Sequence, residues 1–234
     1  MSSLRERNKV SKRKRILAVA RRQFGELGFE ATTFRSIATE AGVGLGTVHL
    51  YAESKQALLH EVWREDTMPV FDRAVKDAMA KPLVAGALSL FTPLLLAYAE
   101  EPGLARVVIK ELPWLEGRAA ERHQPDLQRL WAALTALVTE GQTRGELVSR
   151  VEPTLAVSVL LSLYYASCLD LVVPSGTREV QRVVDRLRAR LELVCTGWEA
   201  TNENRHRGRG DRRANAGGGT SAARPRGSNS RKTR

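Results

Sequence analysis

Cysteine is almost missing from this chain: Cys168 and Cys195 are its two, in 234 residues. Their number and spacing exclude a disulfide framework and a thiolate metal cage, so two reduced, buried thiols are expected. Strand signals are missing as well, since no stretch alternates apolar and polar residues between hairpin turns. Catalytic signatures are absent: there is no G-x-S-x-G elbow, no Walker lysine loop and no H-E-x-x-H. Gly42–Val43–Gly44–Leu45–Gly46 resembles a dinucleotide loop only superficially. It lacks the third glycine at the required offset, and it follows the helical Thr39–Glu40 rather than a strand. The chain is therefore not read as an enzyme, and no cofactor and no metal are expected. The opening MSSLRERNKV has no apolar run of the secretory kind, which points to the cytoplasm. Two segments, 82–99 and 153–169, are free of charge and approach the ~20 residues of a membrane span. Ser and Thr interrupt both, and Gly86 and Pro93 interrupt the first, so they are read as buried helices and no membrane partner is expected.

What the chain does have is basic charge, concentrated at its ends. The formal charge is +11, of which residues 1–15 carry +6 and residues 201–234 carry +8, leaving −3 for the body. Basic arms on a mildly acidic body favour a polyanionic partner. The tail from Thr201 is Gly, Ser, Asn and Arg, with too little apolar surface to offset ordering, and is expected to be disordered.

The stretch from Thr33 to Ala52 carries the strongest local pattern. Thr33 is a plausible N-cap. Phe34, Ile37, Ala38 and Ala41 fall at i, i+3, i+4 and i+7 on one helical face. Gly42 follows the last periodic residue, where a left-handed cap belongs. A second short helix is expected from Leu45 to Tyr51 with Val48 inward. Helix, glycine turn, helix is the helix-turn-helix plan, whose second helix lies in the DNA major groove.

The run ILAVARRQFGELGFEATTFRSIATEAGVGLGTVHLYAESKQALL, Ile16 to Leu59, resembles the TetR/AcrR family of bacterial transcription regulators. The matching features are Phe24, Gly28–Phe29, Thr32–Thr33, Ile37–Ala38, Ala41–Gly42–Val43, Gly46–Thr47, Tyr51, Ser54–Lys55 and Leu58–Leu59. The resemblance implies an all-α, TetR-like protein. Its N-terminal three-helix DNA-binding domain would be followed by a helical ligand-binding and dimerisation domain. The expected divisions are a disordered basic arm over 1–10, the head over 11–70 with its motif at 33–52, the helical body over 71–200, and the tail over 201–234. The implied function is a transcription regulator, a repressor released by a small-molecule effector of apolar or amphipathic character. It would bind double-stranded operator DNA as a homodimer, in the bacterial cytoplasm at the nucleoid. A sequence-blind nucleoid protein using its basic ends is the alternative.

By position in the family pattern, Arg35 contacts base or phosphate, and Gly44, Leu45, Gly46, Thr47, His49 and Leu50 occupy the groove-facing helix. Thr33, Tyr51 and Lys55 match phosphate-contacting places. The sequence departs from the pattern at Gly44, where Ser or Thr usually caps, and at Leu45, His49 and Ala52. Direct reading is expected mainly from Arg35, Thr47 and His49, with Leu45 or Leu50 against thymine methyls. His49 also reads as a plain surface histidine, and Tyr51 as packing.

Beyond the head the pattern stays helical. A helix from Ser54 is expected to kink or break at Pro69. Others are expected over 82–99, 104–110, from Leu127 to Gly141 or Gly145, from Pro153 to before Pro174, and after Thr177. The segment between Pro113–Trp114 and Gln124–Pro125 reads as irregular. Candidate pocket residues are Phe91, Leu95, Tyr98, Val108, Trp114, Trp131, Tyr164 and Tyr165, which also read as plain core. Asp170 sits in an apolar helix and needs a partner. Arg106, Arg118, the dimer edge and a cationic ligand are its candidates. Val180, Val183, Val184, Leu187, Leu191, Val194 and Trp198 form a continuous stripe, read as the dimer interface.

Overall fold

The computed structural model describes residues 4–173 and 179–196. The described residues are helical throughout, with no strand among them. Eight α-helices follow one another: α1 (Leu4–Leu27), α2 (Phe34–Glu40), α3 (Leu45–Tyr51), α4 (Lys55–Ala78), α5 (Leu83–Glu100), α6 (Pro102–Glu111), α7 (Gly117–Thr143) and α8 (Pro153–Val172). Residues 180–196 form a further helix, α9. Calls on Thr177, Trp198 and the tail 201–234 lie outside the described residues.

Three expectations about helix ends are corrected. α1 begins at Leu4, so the basic segment expected to be a disordered arm is helical, and Tyr51 donates a hydrogen bond to the Lys9 carbonyl at 3.0 Å. α4 runs unbroken through Pro69, so the division expected at residue 70 falls inside one helix. Proline forfeits one helical bond, which the helix tolerates where its apolar face is well buried; Met68, Phe71 and Ala74 supply that burial here. α7 likewise starts at Gly117 and runs through Pro125, with His123 and Asp126 buried on either side of it, where an irregular stretch was expected.

Two hydrophobic cores organise the chain. The head core gathers Ile16, Leu17, Ala20 and Phe24 of α1 with Ile37, Val48, Leu58 and Leu59. The trunk core gathers α5, the inner faces of α7 and α8, and Val183, Val184, Leu187 and Leu191 of α9. The two apolar segments weighed as membrane spans are α5 and α8. Both are long and apolar enough to cross a membrane, and both pack into the trunk core.

Helix α6 belongs to both cores. Leu104, Val107 and Val108 face the head, while Ala105 and Ile109 face the trunk. Its entry is possible because two backbones nearly touch: a Cβ on Gly103 would lie 2.2 Å from the Gly25 carbonyl of α1. Ion pairs line the same seam, with Arg21 reaching Glu101 at 2.9 Å and Asp66 at 3.2 Å.

Candidate functional site

The head presents a short exposed helix on a rigid base. Thr33 caps α2 by accepting from the Ser36 N–H at 3.0 Å, and Ser36 caps back in return, a capping box. Gly42, at φ +62°, makes the turn that a side chain would strain. Val48 is fully buried and anchors α3, as the spacing predicts. α1 and α2 are also tied by polar bonds. Gln23 donates to Glu40 at 2.8 Å, Ser36 donates to Gln23 at 2.7 Å, and Arg22 pairs with Glu40 at 2.6 Å. The Gln23 amide, followed by Arg22, holds the Glu40 carboxyl below its usual range.

On the outer side of α2 and α3, Arg35, Leu45, Gly46, His49 and Leu50 are exposed, and Thr47 is half-buried. The Phe34 ring meets His49 edge-on at 4.8 Å and so orients the imidazole. Gly44 sits at the N-cap of α3 with no side-chain bond to the helix, so backbone bonding, with Thr47 N–H donating to the Gly44 carbonyl at 2.8 Å, and packing hold the start of that helix. All three residues read as phosphate contacts have internal work, and that of Tyr51 is its bond to the Lys9 carbonyl. The Thr33 hydroxyl is used in the capping box. The Lys55 ammonium donates to the Phe29 carbonyl at 2.6 Å and lies 4.4 Å over the Phe29 ring.

The trunk holds a partly open cavity of about 580 Å³ between α4, α5, α6, α7 and α8. Of the expected lining residues it takes Tyr98, Val108, Tyr164 and Tyr165. The others lie elsewhere. Phe91 and Leu95 are core residues behind the wall, with Phe91 stacked on Tyr164 at 4.7 Å. Trp114 is 79% exposed and Trp131 37% exposed, and neither lines the cavity. Asp170 is bound by Arg186 at 3.3 Å and Arg190 at 3.1 Å, both on α9, rather than by Arg106 or Arg118. Those pairs settle its need for a partner and remove it from the pocket.

The wall also holds Trp63, Met68, Leu94, Leu112, Leu130, His123, Asp126 and Cys168. Burial governs their chemistry. It pushes the Cys168 thiol up to about 12 and raises the Tyr98 and Tyr164 hydroxyls above their usual range. It lowers His60 and brings His123 down to about 4, so both imidazoles are neutral at pH 7. His60, His123 and Asp126 were not singled out from the sequence. Their signal was the i, i+3 pair His123–Asp126, visible only once Pro125 is placed inside a helix. Both cysteines are buried and unbridged, as expected.

The stripe read as the dimer interface faces inward instead. Val183, Leu187 and Leu191 are fully buried and Val184 nearly so, because α9 closes the trunk's own core. Val180 packs partly against that core, and Val194 is half-buried. Among the described residues, exposed apolar side chains in this region include Leu155, Tyr165 and Leu169 of α8, Val173 after it, and Leu193 of α9.

Known proteins share this plan. The family model described as bacterial regulatory proteins, tetR family, matches residues 16–62. The HTH-type transcriptional repressor Rv1474c of Mycobacterium tuberculosis is 28% identical over 200 residues, covering 83% of this chain and 96% of its own. Two solved structures share the fold. The transcriptional regulator FadR of Bacillus subtilis, in complex with stearoyl-CoA, has a TM-score of 0.65 at 22% identity, covering 79% of this chain and 98% of its own. The Thermus thermophilus FadR repressor, in complex with lauroyl-CoA, has a TM-score of 0.60 at 23% identity, covering 77% and 92%. The head is thus a helix-turn-helix of the tetR type, and the chain as a whole is similar to a transcriptional repressor along nearly that protein's whole length.

Proposed function

We propose that the protein is a repressor whose operator binding is released when an amphipathic small molecule fills the trunk cavity. The observation that carries this is the double membership of α6. Val108 of α6, and Leu112 directly after it, are packed in the head core and also line the cavity. A ligand that spreads the wall must therefore move a helix on which the head rests. It shifts the equilibrium only by its differential affinity for the two arrangements.

The cavity volume lies in the ~300–1,000 Å³ range of small-molecule sites, and its wall is largely apolar with a few convergent polar groups. That chemistry suits a ligand with an apolar chain and a polar head, the class to which the acyl-CoA molecules of the two FadR structures belong.

DNA reading is assigned to Arg35, Thr47 and His49, with Gly44, Leu45, Gly46 and Leu50 against the groove and Thr33, Tyr51 and Lys55 beside the phosphates. Helical Arg7, Lys12 and Lys14 on α1 add positive charge to the head. The operating form is a cytoplasmic homodimer, paired through the outward residues of α8 and α9 rather than the buried stripe. A twofold dimer presents two α3 helices about one DNA turn, ~34 Å, apart, and so reads a palindrome.

Footprinting on the DNA upstream of its own gene tests the reading. A discrete, twofold-symmetric protected site is expected, lost on adding long-chain acyl-CoA. Equal binding to operator and random DNA would favour the sequence-blind alternative.

A further inference from the structure

One cluster at the cavity wall has no part in the reading above. His60 comes from α4, and His123 and Asp126 come from one face of α7. Each is more than nine-tenths buried. One donor atom of each lies within 4.8 Å of the other two. Neither ring nitrogen of His60, nor Nδ1 of His123, has a hydrogen-bond partner among the described residues. His60 Nε2 stands 3.4 Å from Asp126 Oδ2, but without the geometry of a hydrogen bond. Unpaired buried nitrogens are rare in folded proteins and call for an explanation. Packing holds these rings in place: Trp63 lies 5.7 Å from His60 and 5.0 Å from His123, centroid to centroid.

We infer that His60, His123 and Asp126 ligate one divalent transition-metal ion whose remaining coordination positions face the cavity. Two imidazoles and one carboxylate suit zinc, cobalt, nickel or ferrous iron, whereas magnesium and calcium prefer all-oxygen sites. At metal–ligand lengths of about 2.0–2.2 Å the donors sit roughly 3–4 Å apart, so binding draws the side chains inward by about an ångström. His123 and Asp126 already line the cavity, which leaves the open side of the ion toward a ligand's polar head.

Arg64 is the competing group. Its Nε lies 3.0 Å from Asp126 Oδ2, and its side chain is half-exposed, so it can share the carboxylate or withdraw to solvent. Removing its charge therefore strengthens metal binding, an effect that a purely structural cluster would not give.

The inference rests on the cluster alone, and operator binding measured on the same samples separates its failure from failure of the repressor reading. The test titrates chelator-treated, full-length protein with Co²⁺, then Zn²⁺. Expected are one Co²⁺ per chain with a visible absorption band, its displacement by Zn²⁺, and no response to Mg²⁺. The double substitution His60→Gln/His123→Gln, with its fold checked by circular dichroism, lowers Co²⁺ affinity by at least about ten-fold. Asp126→Asn does the same should the double variant fail to fold. Arg64→Gln raises the affinity. Absence of a saturable band, or a band that survives in the folded double variant, would overturn the inference.

Discussion

The head and the trunk are both packed from helices but are filled differently. Around Phe24, Ile37, Val48 and Leu58 the head packs fully buried apolar side chains against one another, and its polar ties sit at the edges. The trunk wraps a hollow whose wall includes His123, one of whose ring nitrogens lacks a partner. A close-packed core transmits strain and keeps one shape, whereas a hollow one has more than one way to close. Stiffness is what base reading requires, and compliance is what a response to a ligand requires. The molecule separates them and joins them through α6.

Truncations on the two sides measure that difference most directly. Phe24 is fully buried and stacked on Phe29 at 5.7 Å. Phe24→Ala is expected to cost about 3–5 kcal/mol in urea unfolding and to abolish DNA binding. Leu94 is equally apolar but borders the cavity, so part of its surface has no neighbour to lose. Leu94→Ala is expected near the low end of the usual range, about 2 kcal/mol, with DNA binding kept. Equal costs would mean that the hollow is filled and the contrast is false.

The seam comes next. Gly103→Ala places a methyl against the Gly25 carbonyl, where flexible side chains cannot give way. Backbones must part, at a cost of about 1–3 kcal/mol. The informative readout is coupling: effector should still bind the trunk, seen as a rise in Tm, while its effect on operator affinity shrinks. Retained coupling would move the signal route from α6 to α4, the other helix common to both regions.

How far each region could be read from its residues follows the same division. Head helices declare themselves locally, through Thr33 as a cap, Gly42 as a turn and Val48 as an anchor, because each signal is set within a few residues. The trunk depends on which faces meet across the fold. The stripe Val183–Leu187–Leu191 is a correct helix face, but its spacing cannot say whether a second subunit or the chain's own core covers it. Asp170 demanded a partner, and the sequence could not choose Arg190 over Arg106. Pro69 and Pro125 misled for a related reason: tertiary burial outweighs a single lost helical bond. The second error concealed the His123–Asp126 face, so the candidate site in the trunk was the least legible part of the chain.

Within the head, contact and support can be told apart by salt. Arg35 is exposed beside α3, and Arg35→Ala should weaken operator binding roughly ten- to a hundred-fold. Lys55 is bound to the Phe29 carbonyl, so Lys55→Met should lower Tm. Its salt slope should fall by less than the about one unit expected for a lost phosphate contact. A full unit lost at Lys55 would return it to the DNA backbone.

The smallest effect expected is at Gly44, and it asks whether α3 is held firmly without a side-chain cap. Gly44 is the N-cap of α3, in extended backbone at φ −69° and ψ 148°, and no side chain there bonds to the helix. A Cβ at this position has room, its nearest neighbour being Thr47 Oγ1 at 3.9 Å. Gly44→Ser should therefore supply the missing cap without strain and stabilise the head by a few tenths of a kcal/mol, about what separates glycine from serine at such positions. Thermal unfolding followed by far-ultraviolet circular dichroism resolves the change. If buried Val48 already fixes α3, operator affinity should stay within about two-fold, because the helix presents the same face before and after. A large gain in affinity would instead mean that α3 frays in the free protein and orders on DNA, and the head would then share the compliance assigned here to the trunk.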